Sequence, residues 1–304
     1  MRDGVLWGVH VPTFDPFGSG IPPVVESARR AESCGFDAVW VGDHLVSPSP
    51  VLDSLCALSA VAAVTGRVDV GVSVLQLGLR HLVWAAKQLA TIDAIAPGRL
   101  RLGVGVGGEF PDEFVAAGVA RETRGRRLDE MLEVLPALLS GEAVDRRGEH
   151  VSVSLPGLKP PVSAMPPVSV GGRSDAALVR AARYGDQWVG MWQDPETVYQ
   201  AGRRLAELAV KEDRPAPSVA MLVIVHVDDD VDAARAEVTA ALQGQYRLPL
   251  RVVDRWTAYG PPERVAEMLE GYRDAGVTEL VLIPAAADPV RQYERLAGVR
   301  DLVG

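Results

Sequence analysis

The fold class of this chain is decided by the stretch from Val68 to Glu109, VDVGVSVLQLGLRHLVWAAKQLATIDAIAPGRLRLGVGVGGE. Val68–Leu75 is β-branched and apolar, as in a strand that is buried on both faces. His81–Ala94 has apolar residues at helical spacing, and the following Pro97-Gly98 ends a helix. Arg99–Val106 is a second buried strand. The stretch therefore predicts a parallel βαβ unit whose strands end in loops of small residues, where α/β proteins bind ligands.

The same alternation continues along nearly the whole chain. Strands are predicted at Val5–Val11, Ala38–Gly42, Val68–Leu75, Leu100–Val106, Pro167–Val170, Gln187–Met191, Val219–Val227 and Glu279–Ile283. Helices are predicted at Pro22–Ser33, Val51–Val64, His81–Ala94, Thr123–Leu139, Asp175–Tyr184, Pro195–Lys211, Val231–Leu242, Pro262–Ala275 and, at the end, Asp288–Leu302. Eight strands that alternate with eight helices favour a closed (β/α)8 TIM barrel over an open sheet, with one domain over residues 1–304.

The alternation is interrupted between the fourth and fifth strands. Residues 110–165 are predicted to form an insertion on the barrel, in which Gly141–Leu155 is a hairpin and Pro156–Pro167 is extended. Gln243–Tyr259 is a second irregular stretch. We expect these two segments to determine the substrate.

Composition argues against several classes of protein. The net charge of −9 is unfavourable for a nucleic-acid or anionic-membrane partner. No apolar run reaches the roughly 18 residues of a transmembrane helix, and the N-terminal residues contain no charged-then-apolar leader. The two cysteines, Cys34 and Cys56, are predicted to be buried free thiols rather than a disulfide. We therefore expect a cytoplasmic protein.

Two motifs at strand ends carry candidate catalytic residues. Asp43 and His44 follow the second strand, where the Asp43 carboxylate can raise the pKa of the imidazole and make His44 an acid or base. The alternative is that Asp43 caps the next loop and His44 contacts only backbone. Gly103–Glu109 follows the fourth strand with glycines that let a planar or phosphorylated ligand approach the backbone. Glu109 lies at the rim as an acid or ligand-orienting group.

A third motif, Gly171-Gly172-Arg173-Ser174, joins the fifth strand to a helix. Free backbone N–H groups, a hydroxyl and a guanidinium at a helix N-terminus are suited to a phosphate. The alternative is an ordinary turn in which Ser174 caps the helix. The motif is neither a Walker loop nor a Rossmann fingerprint.

Metal and nucleophilic chemistry have little support. The five histidines, His10, His44, His81, His150 and His226, include no HxH or HExxH pair, and there is no Cys-His cluster, so no metal site is predicted. No GxSxG motif is present. His10 and His226 lie near strand ends, where we expect them to line a pocket.

Five runs of sequence cover most of the chain: GFDAVWVGDHL (35–45), LRHLVWAAKQLATIDAIAPGRLRLGVGVGG (79–108), RGRRLDEMLEVLPALLSGE (124–142), PPVSVGGRSDAALVRAARYGDQWVG (166–190) and YGPPERVAEMLEGYRDAGVTELVL (259–282). In this order they resemble the luciferase-like monooxygenase superfamily, which includes oxidoreductases that depend on the deazaflavin coenzyme F-420. The chain lacks the long insertion of the light-emitting luciferases.

The resemblance implies a (β/α)8 barrel that holds reduced FMN or F-420 at the carboxyl ends of its strands. The residues implied to contact the cofactor phosphate are Gly107, Gly108, Gly171, Gly172, Arg173 and Ser174. A cis peptide between Ser73 and Val74 is implied to lie behind the cofactor ring. Asp43, His44 and Glu109 match positions that handle the substrate proton in some F-420 enzymes.

We therefore predict an oxidoreductase or monooxygenase that acts on an unidentified small organic substrate, by hydride transfer with F-420 or by flavin-peroxide oxygenation with reduced FMN. A separate flavin or F-420 reductase follows as a transient partner, and related barrels often pair as homodimers. Aromatic and apolar side chains predicted for the pocket wall are Trp7, Phe14, Leu75, Trp192, Trp256 and Tyr259. The alternatives are a non-catalytic flavin-binding protein and a metal-dependent barrel hydrolase.

Overall fold

All strands and helices given below lie within residues 4–303, which the computed structural model describes. The predicted domain of residues 1–304 extends beyond this range at both ends. The strands are β1 (Leu6–His10), β2 (Ala38–Val41), β3 (Asp69–Leu75), β4 (Leu100–Val104), β5 (Val144–Arg147), β6 (Ser152–Leu155), β7 (Val168–Gly171), β8 (Gln187–Met191), β9 (Ser218–Val227), β10 (Ala258–Gly260) and β11 (Glu279–Pro284).

The helices alternate with these strands along the chain. They are α1 (Val24–Ser33), α2 (Ser54–Val64), α3 (Leu82–Ile95), α4 (Pro111–Ala116), α5 (Arg124–Ser140), α6 (Asp175–Tyr184), α7 (Pro195–Lys211), α8 (Val231–Tyr246), α9 (Leu250–Val253), α10 (Pro262–Asp274) and α11 (Pro289–Arg300). None of them is both long enough and apolar enough to cross a bilayer.

Eight parallel strands close into a barrel. Their order is β1-β2-β3-β4-β7-β8-β9-β11, and the ring closes because β11 pairs with β1 and β8 pairs with β9. The predicted (β/α)8 barrel is therefore confirmed. The carboxyl ends of all eight strands meet at one face, as in other barrels of this class.

The two irregular segments contain more structure than the sequence predicts. The hairpin of the insertion is present as the antiparallel pair β5–β6, but α4 was not predicted because its six residues are too few to show a helical period. In the second segment α8 runs on to Tyr246, and β10 adds to the upper end of β9 outside the ring. Both cysteines are free, but neither is buried as predicted: Cys34 is half-buried, and Cys56 is exposed on α2.

A tryptophan fills the inside of the barrel. Trp40 on β2 is 2% exposed, and glycines on the two neighbouring strands make room for its indole. A Cβ on Gly8 would lie 2.5 Å from Trp40 Nε1, and a Cβ on Gly71 would lie 2.5 Å from Trp40 Cζ3. Gly8 and Gly71 are therefore required by packing, since any larger side chain would overlap the ring.

A buried ion pair crosses the same interior. Arg101 on β4 donates to Glu279 on β11 through two hydrogen bonds of 2.9 and 2.6 Å, and the Arg101 guanidinium lies 5.0 Å from the centre of the Trp40 ring. Gln187 donates to Glu279 Oε2 at 3.0 Å and accepts from the Ser169 hydroxyl at 2.8 Å. The paired geometry and the added hydrogen bonds compensate for the burial of two charges.

We expect Glu279→Ala to lower the free energy of unfolding by about 3–5 kcal/mol, because Arg101 would keep a buried charge without a partner. Urea denaturation followed by circular dichroism measures this. The surface substitution Glu263→Ala on α10 is the control and should change stability by less than about 0.5 kcal/mol. Equal effects of the two substitutions would contradict a structural role for the ion pair.

Candidate active site

A cavity of about 630 Å³ opens at the carboxyl ends of the barrel strands. Every site residue predicted from the sequence lines it: Asp43, His44, Ser73, Val74, Gly107, Gly108, Glu109, Gly171, Gly172, Arg173 and Ser174. Residues from the loops after β1 and β11 and the last turn of α8 complete the wall. The barrel thus brings together three motifs that are far apart in the sequence.

The His44 imidazole is held between two carboxylates. Its Nδ1 lies 3.1 Å from Glu113 Oε1 and its Nε2 lies 3.4 Å from Glu109 Oε2. Glu113 is fully buried, whereas the Glu109 side chain is 47% exposed at the rim. The inner carboxylate therefore fixes the ring, and the outer one can move when a ligand enters.

This arrangement keeps His44 protonated at neutral pH. Burial on its own lowers the pKa of His44, but hydrogen bonds and charge attraction from Glu109 and Glu113 outweigh it and raise the pKa to about 9. Burial raises the pKa of Glu113, and the opposing contacts from His44 and Gln76 bring it below its ordinary value. The pair is an imidazolium facing a carboxylate.

Glu113 was not identified from the sequence. It lies on α4, directly after the glycine-rich mouth, and accepts from the backbone N–H of Leu45 at 2.7 Å and from Gln76 Nε2 at 3.1 Å. The proline and two acidic residues that begin α4 are a helix-start signal that could have located it.

Asp43 has a structural role that differs from the catalytic role predicted from the sequence. Its carboxylate accepts from Arg80 Nη2 at 2.7 Å, from the Ser54 hydroxyl at 2.6 Å and from the Gln76 backbone N–H at 2.8 Å. These contacts occupy the Asp43 carboxylate. The pKa of His44 is raised by Glu109 and Glu113, so the expectation that Asp43 raises it is wrong. Asp43 instead fastens the end of β2 to the loop after β3.

The peptide between Ser73 and Val74 is cis, as the family resemblance implies. The Val74 side chain packs against Gly103 on β4, Gly105 directly after β4, and Gly171 at the end of β7. A Cβ on Gly105 would lie 2.5 Å from Val74 Cγ2, one on Gly103 would lie 3.2 Å from Val74 Cγ1, and one on Gly171 would lie 3.0 Å from that same atom. Several glycines that the sequence assigned to ligand approach therefore make room for Val74.

The cavity has a cationic end beside the glycine-rich turns. Gly107 and Gly108 have φ of +64° and +128°, and Arg121 donates to the Gly108 carbonyl at 3.0 Å. Arg124 Nε is buried without a hydrogen-bond partner. Within residues 4–303, no carboxylate forms an ion pair with Arg121, Arg124 or Arg173. Three uncompensated guanidinium groups are suited to an anionic ligand.

The Gly171–Ser174 turn lies at this same end. Ser174 caps α6, since its hydroxyl accepts from the Ala177 N–H at 3.3 Å, as the alternative interpretation expected. Gly172 has φ of +139°, and a Cβ there would lie 2.7 Å from the Ala177 Cβ. Ahead of this cap, the N–H groups of Asp175 and Ala176 at the start of α6 have no partner within the helix and remain available to a ligand.

Some predicted wall residues lie elsewhere. Phe14 and Trp192 line the cavity, and so does His10, whose burial lowers its pKa to about 4. The residues that do not line it are Trp7, Leu75, His226, Trp256 and Tyr259. Successive side chains of a strand point to opposite faces of the sheet. A residue near a strand end therefore reaches the cavity only when its side chain points to the cavity face.

Among residues 4–303, one group of acidic and histidine side chains is compact enough for a metal ion: Glu130, Glu149 and His150, at the β5–β6 hairpin. Glu130 Oε2 there accepts the backbone N–H groups of His150 and Val151 at 3.0 and 2.9 Å, and so stabilises the hairpin. None of the three lines the cavity. The group therefore gives no support to a metal-dependent hydrolase site at the barrel mouth.

Comparison with known families identifies the family of this chain. The family described as luciferase-like monooxygenase matches residues 1–250. The chain belongs to the luciferase-like monooxygenase family. It is therefore an oxidoreductase, and the predicted family is confirmed.

Three known proteins illustrate what this luciferase-like protein is similar to. An F-420-dependent glucose-6-phosphate dehydrogenase of Beutenbergia cavernae is 30% identical over 303 residues, which cover 88% of each chain. An F-420-dependent secondary alcohol dehydrogenase, solved with an F-420-acetone adduct, has a TM-score of 0.85 at 20% identity over 99% of each chain. A riboflavin lyase, solved with modified FMN, has a TM-score of 0.79 at 16% identity and covers 98% of this chain and 92% of its own. The predicted cofactor class, F-420 or FMN, is confirmed at the level of these relatives.

We expect Glu113→Gln to lower the pKa of His44 from about 9 by about one to three pH units, since one of two neighbouring negative charges is removed. Because the folded-state pKa is raised, protonated His44 adds stability that is complete below about pH 6.5 and is lost as the pH rises through about 9. The variant should therefore lose more stability at pH 6 than at pH 10.

Imidazole titration by nuclear magnetic resonance, with urea denaturation at both pH values, checks this. Glu122→Gln, an exposed site on the same insertion, is the control. An unchanged His44 titration in Glu113→Gln would show that Glu113 does not set the charge of the ring.

Proposed function

We propose that this luciferase-like protein is an F-420-dependent oxidoreductase that interconverts a carbonyl group and a secondary alcohol, with His44 exchanging the proton on the substrate oxygen. The observation that carries the proposal is the clamped His44 imidazolium between Glu113 and Glu109, beside the Ser73–Val74 wall. A proton donor with a raised pKa is what reduction of a carbonyl requires.

The residues present fit such a cofactor. The wall at Ser73 and Val74 would lie behind the ring, and Gly108, where a Cβ would meet nothing closer than 3.7 Å, leaves backbone open for close approach. Gly171–Ser174 would hold the phosphate at the start of α6, and the unpartnered Arg124 Nε supplies a buried donor. When bound, the cofactor supplies or accepts the hydride.

The cationic end favours F-420 over FMN. FMN ends in one phosphate, whereas the tail of F-420 has a phosphodiester followed by glutamate carboxylates. Arg121, Arg124 and Arg173 offer more positive charge than a single phosphate requires. The Beutenbergia cavernae relative, whose name includes F-420, also covers nearly the whole chain. FMN is the second candidate, because a riboflavin lyase solved with modified FMN shares the fold. If FMN is the cofactor, a separate reductase is expected as a partner that supplies it in reduced form.

The chain's own residues divide the remaining work. His44 Nδ1 is committed to buried Glu113, which leaves Nε2 to give a proton to a carbonyl oxygen or to take one from an alcohol. The exposed Glu109 carboxylate yields its place at Nε2 to the substrate. Phe14 and Phe110 pack their rings 5.8 and 4.9 Å from the imidazole, so they hold the ring and exclude water. Asp43 positions the loop without touching the reacting atoms.

Fluorescence titration with F-420 and with FMN, each oxidised and reduced, tests cofactor choice. We expect micromolar or tighter binding of F-420, and at least tenfold weaker binding in Arg124→Ala, because about 1.4 kcal/mol or more is lost with one charge-assisted hydrogen bond. Arg126→Ala on the same helix, whose side chain faces Glu149, should bind normally. If neither cofactor binds at micromolar concentration, the proposed function is wrong.

We expect His44→Ala to bind F-420 normally and to lose turnover by about 10²–10⁴-fold. In the unsubstituted protein, kcat/KM for carbonyl reduction, which reports the free enzyme, should fall as the pH rises through about 9, where His44 loses its proton. A stopped-flow measurement of cofactor absorbance gives both results. Full turnover by the variant would remove His44 from the mechanism, whereas absence of turnover in the unsubstituted protein would favour a non-catalytic flavin-binding protein.

A further inference from the structure

The cavity has two chemically different sides, which face each other across the barrel mouth. In the ring of strands, β3, β4 and β7 are consecutive, and β9, β11 and β1 are consecutive on the other side. We call the first side, with Arg121 and Arg124 of the insertion, the cationic arc. We call the second side, with the last turn of α8, the apolar arc. β2, with His44, lies at one boundary between them, and β8, with Trp192, lies at the other.

Among the described residues that line the apolar arc, none has a side chain that is positively charged at neutral pH. Its apolar lining residues include Val11, Phe14, Phe17, Leu222, Tyr246 and Ile283, and its uncharged polar ones are Thr13, Ser19 and Gln245. Among the described lining residues of this arc, the one formal charge is Asp15, whose carboxylate accepts the backbone N–H groups of Ser19 and Gly20 at 3.0 and 2.8 Å. His10, with its pKa lowered to about 4 by burial, is neutral.

Aromatic rings form the outer part of this arc. Tyr246 and Trp192 meet edge to face with their centres 5.5 Å apart, and Phe17 packs in the same apolar cluster. Burial raises the pKa of Tyr246, so its phenol stays neutral. At the floor, Leu222 packs against the buried cluster of Ala38, Trp40 and Val281 inside the barrel. The arc therefore offers flat and apolar surface with little capacity to solvate a charge.

The electrostatics of the reacting centre point in the same direction. The positive charge of His44 is already balanced by Glu109 and Glu113. An anionic group on the substrate would meet Asp15 and Glu109 with no free cation on that side. The arginines that could bind it all lie on the cationic arc, where the cofactor tail is proposed to bind.

We infer that the substrate of this site is a neutral aryl ketone or the corresponding secondary alcohol, and not a phosphorylated sugar or another anion. The inference rests on the proposed function, because it assigns the cationic arc to the cofactor and the apolar arc to the substrate. It sets this chain apart from the Beutenbergia cavernae relative, which is named for glucose 6-phosphate. In the reduction, hydride goes from reduced F-420 to the carbonyl carbon and the proton of His44 Nε2 goes to the oxygen, which gives the alcohol and oxidised F-420.

The test is calorimetric binding to protein that has first been loaded with oxidised F-420, with three probes. Acetophenone is the neutral aryl ketone, 4-acetylbenzoate adds one negative charge to the same ring and ketone, and glucose 6-phosphate is the sugar phosphate. We expect acetophenone to bind at least tenfold more tightly than either anion. Absence of acetophenone binding, or equal or tighter binding of an anion, overturns the inference.

A pair of variants tests the aromatic wall. Tyr246→Leu removes the ring and should weaken acetophenone binding by about two- to tenfold, whereas Tyr246→Phe keeps the ring and should bind as the unsubstituted protein does. F-420 affinity, measured separately, should be the same in both variants. If F-420 does not bind at all, the proposed function is wrong. If F-420 binds but the protein shows no preference for the neutral ketone, only this inference is wrong. Equal acetophenone affinity in Tyr246→Leu and Tyr246→Phe would also contradict it.

Discussion

The ion pair between Arg101 and Glu279 is the interaction on which the rest of the structure depends. It joins two strands that are 178 residues apart and fills the barrel interior with a charged layer that Gln187 completes. Trp40 lies on this layer, and Leu222 packs against the buried cluster that Trp40 forms with Ala38 and Val281. The floor of the cavity is therefore built on a layer of buried charge.

A second constraint is steric and concerns Val74. The chain places Val74 against Gly103, Gly105 and Gly171, so the wall behind the cofactor site is formed by three strands that interlock through one side chain. Glycine-rich mouths are usually interpreted as room for a ligand. In this protein much of the room is taken by the protein itself. Gly107 is packed against the Gln76 side chain, whereas a Cβ on Gly108 would meet only ordinary contacts with Arg121 and Arg124, at 3.7 and 3.8 Å.

The sequence predicts the barrel and most of its strand ends because hydrophobic periodicity marks where a buried strand stops. For the same reason it places His44, Glu109 and the Gly171–Ser174 turn at the ligand face. It does not predict Glu113, whose contact with His44 spans 69 residues and depends on a six-residue helix folding back. Nor does it predict that Asp43 is bound by Arg80. Such pairings arise from three-dimensional packing, which leaves no periodic trace in the chain.

The separation of the two arcs has a consequence for how such a barrel diverges. Because the cationic arc and the apolar arc are contributed by different strands, mutations at Phe17 or Ile283, which touch neither the Trp40 cluster nor His44, can accumulate without disturbing the groups around His44. Substitutions in the apolar arc can then give access to new substrates, while selection continues to maintain the cationic arc. Combinatorial libraries confined to the apolar arc would sample that same route in the laboratory.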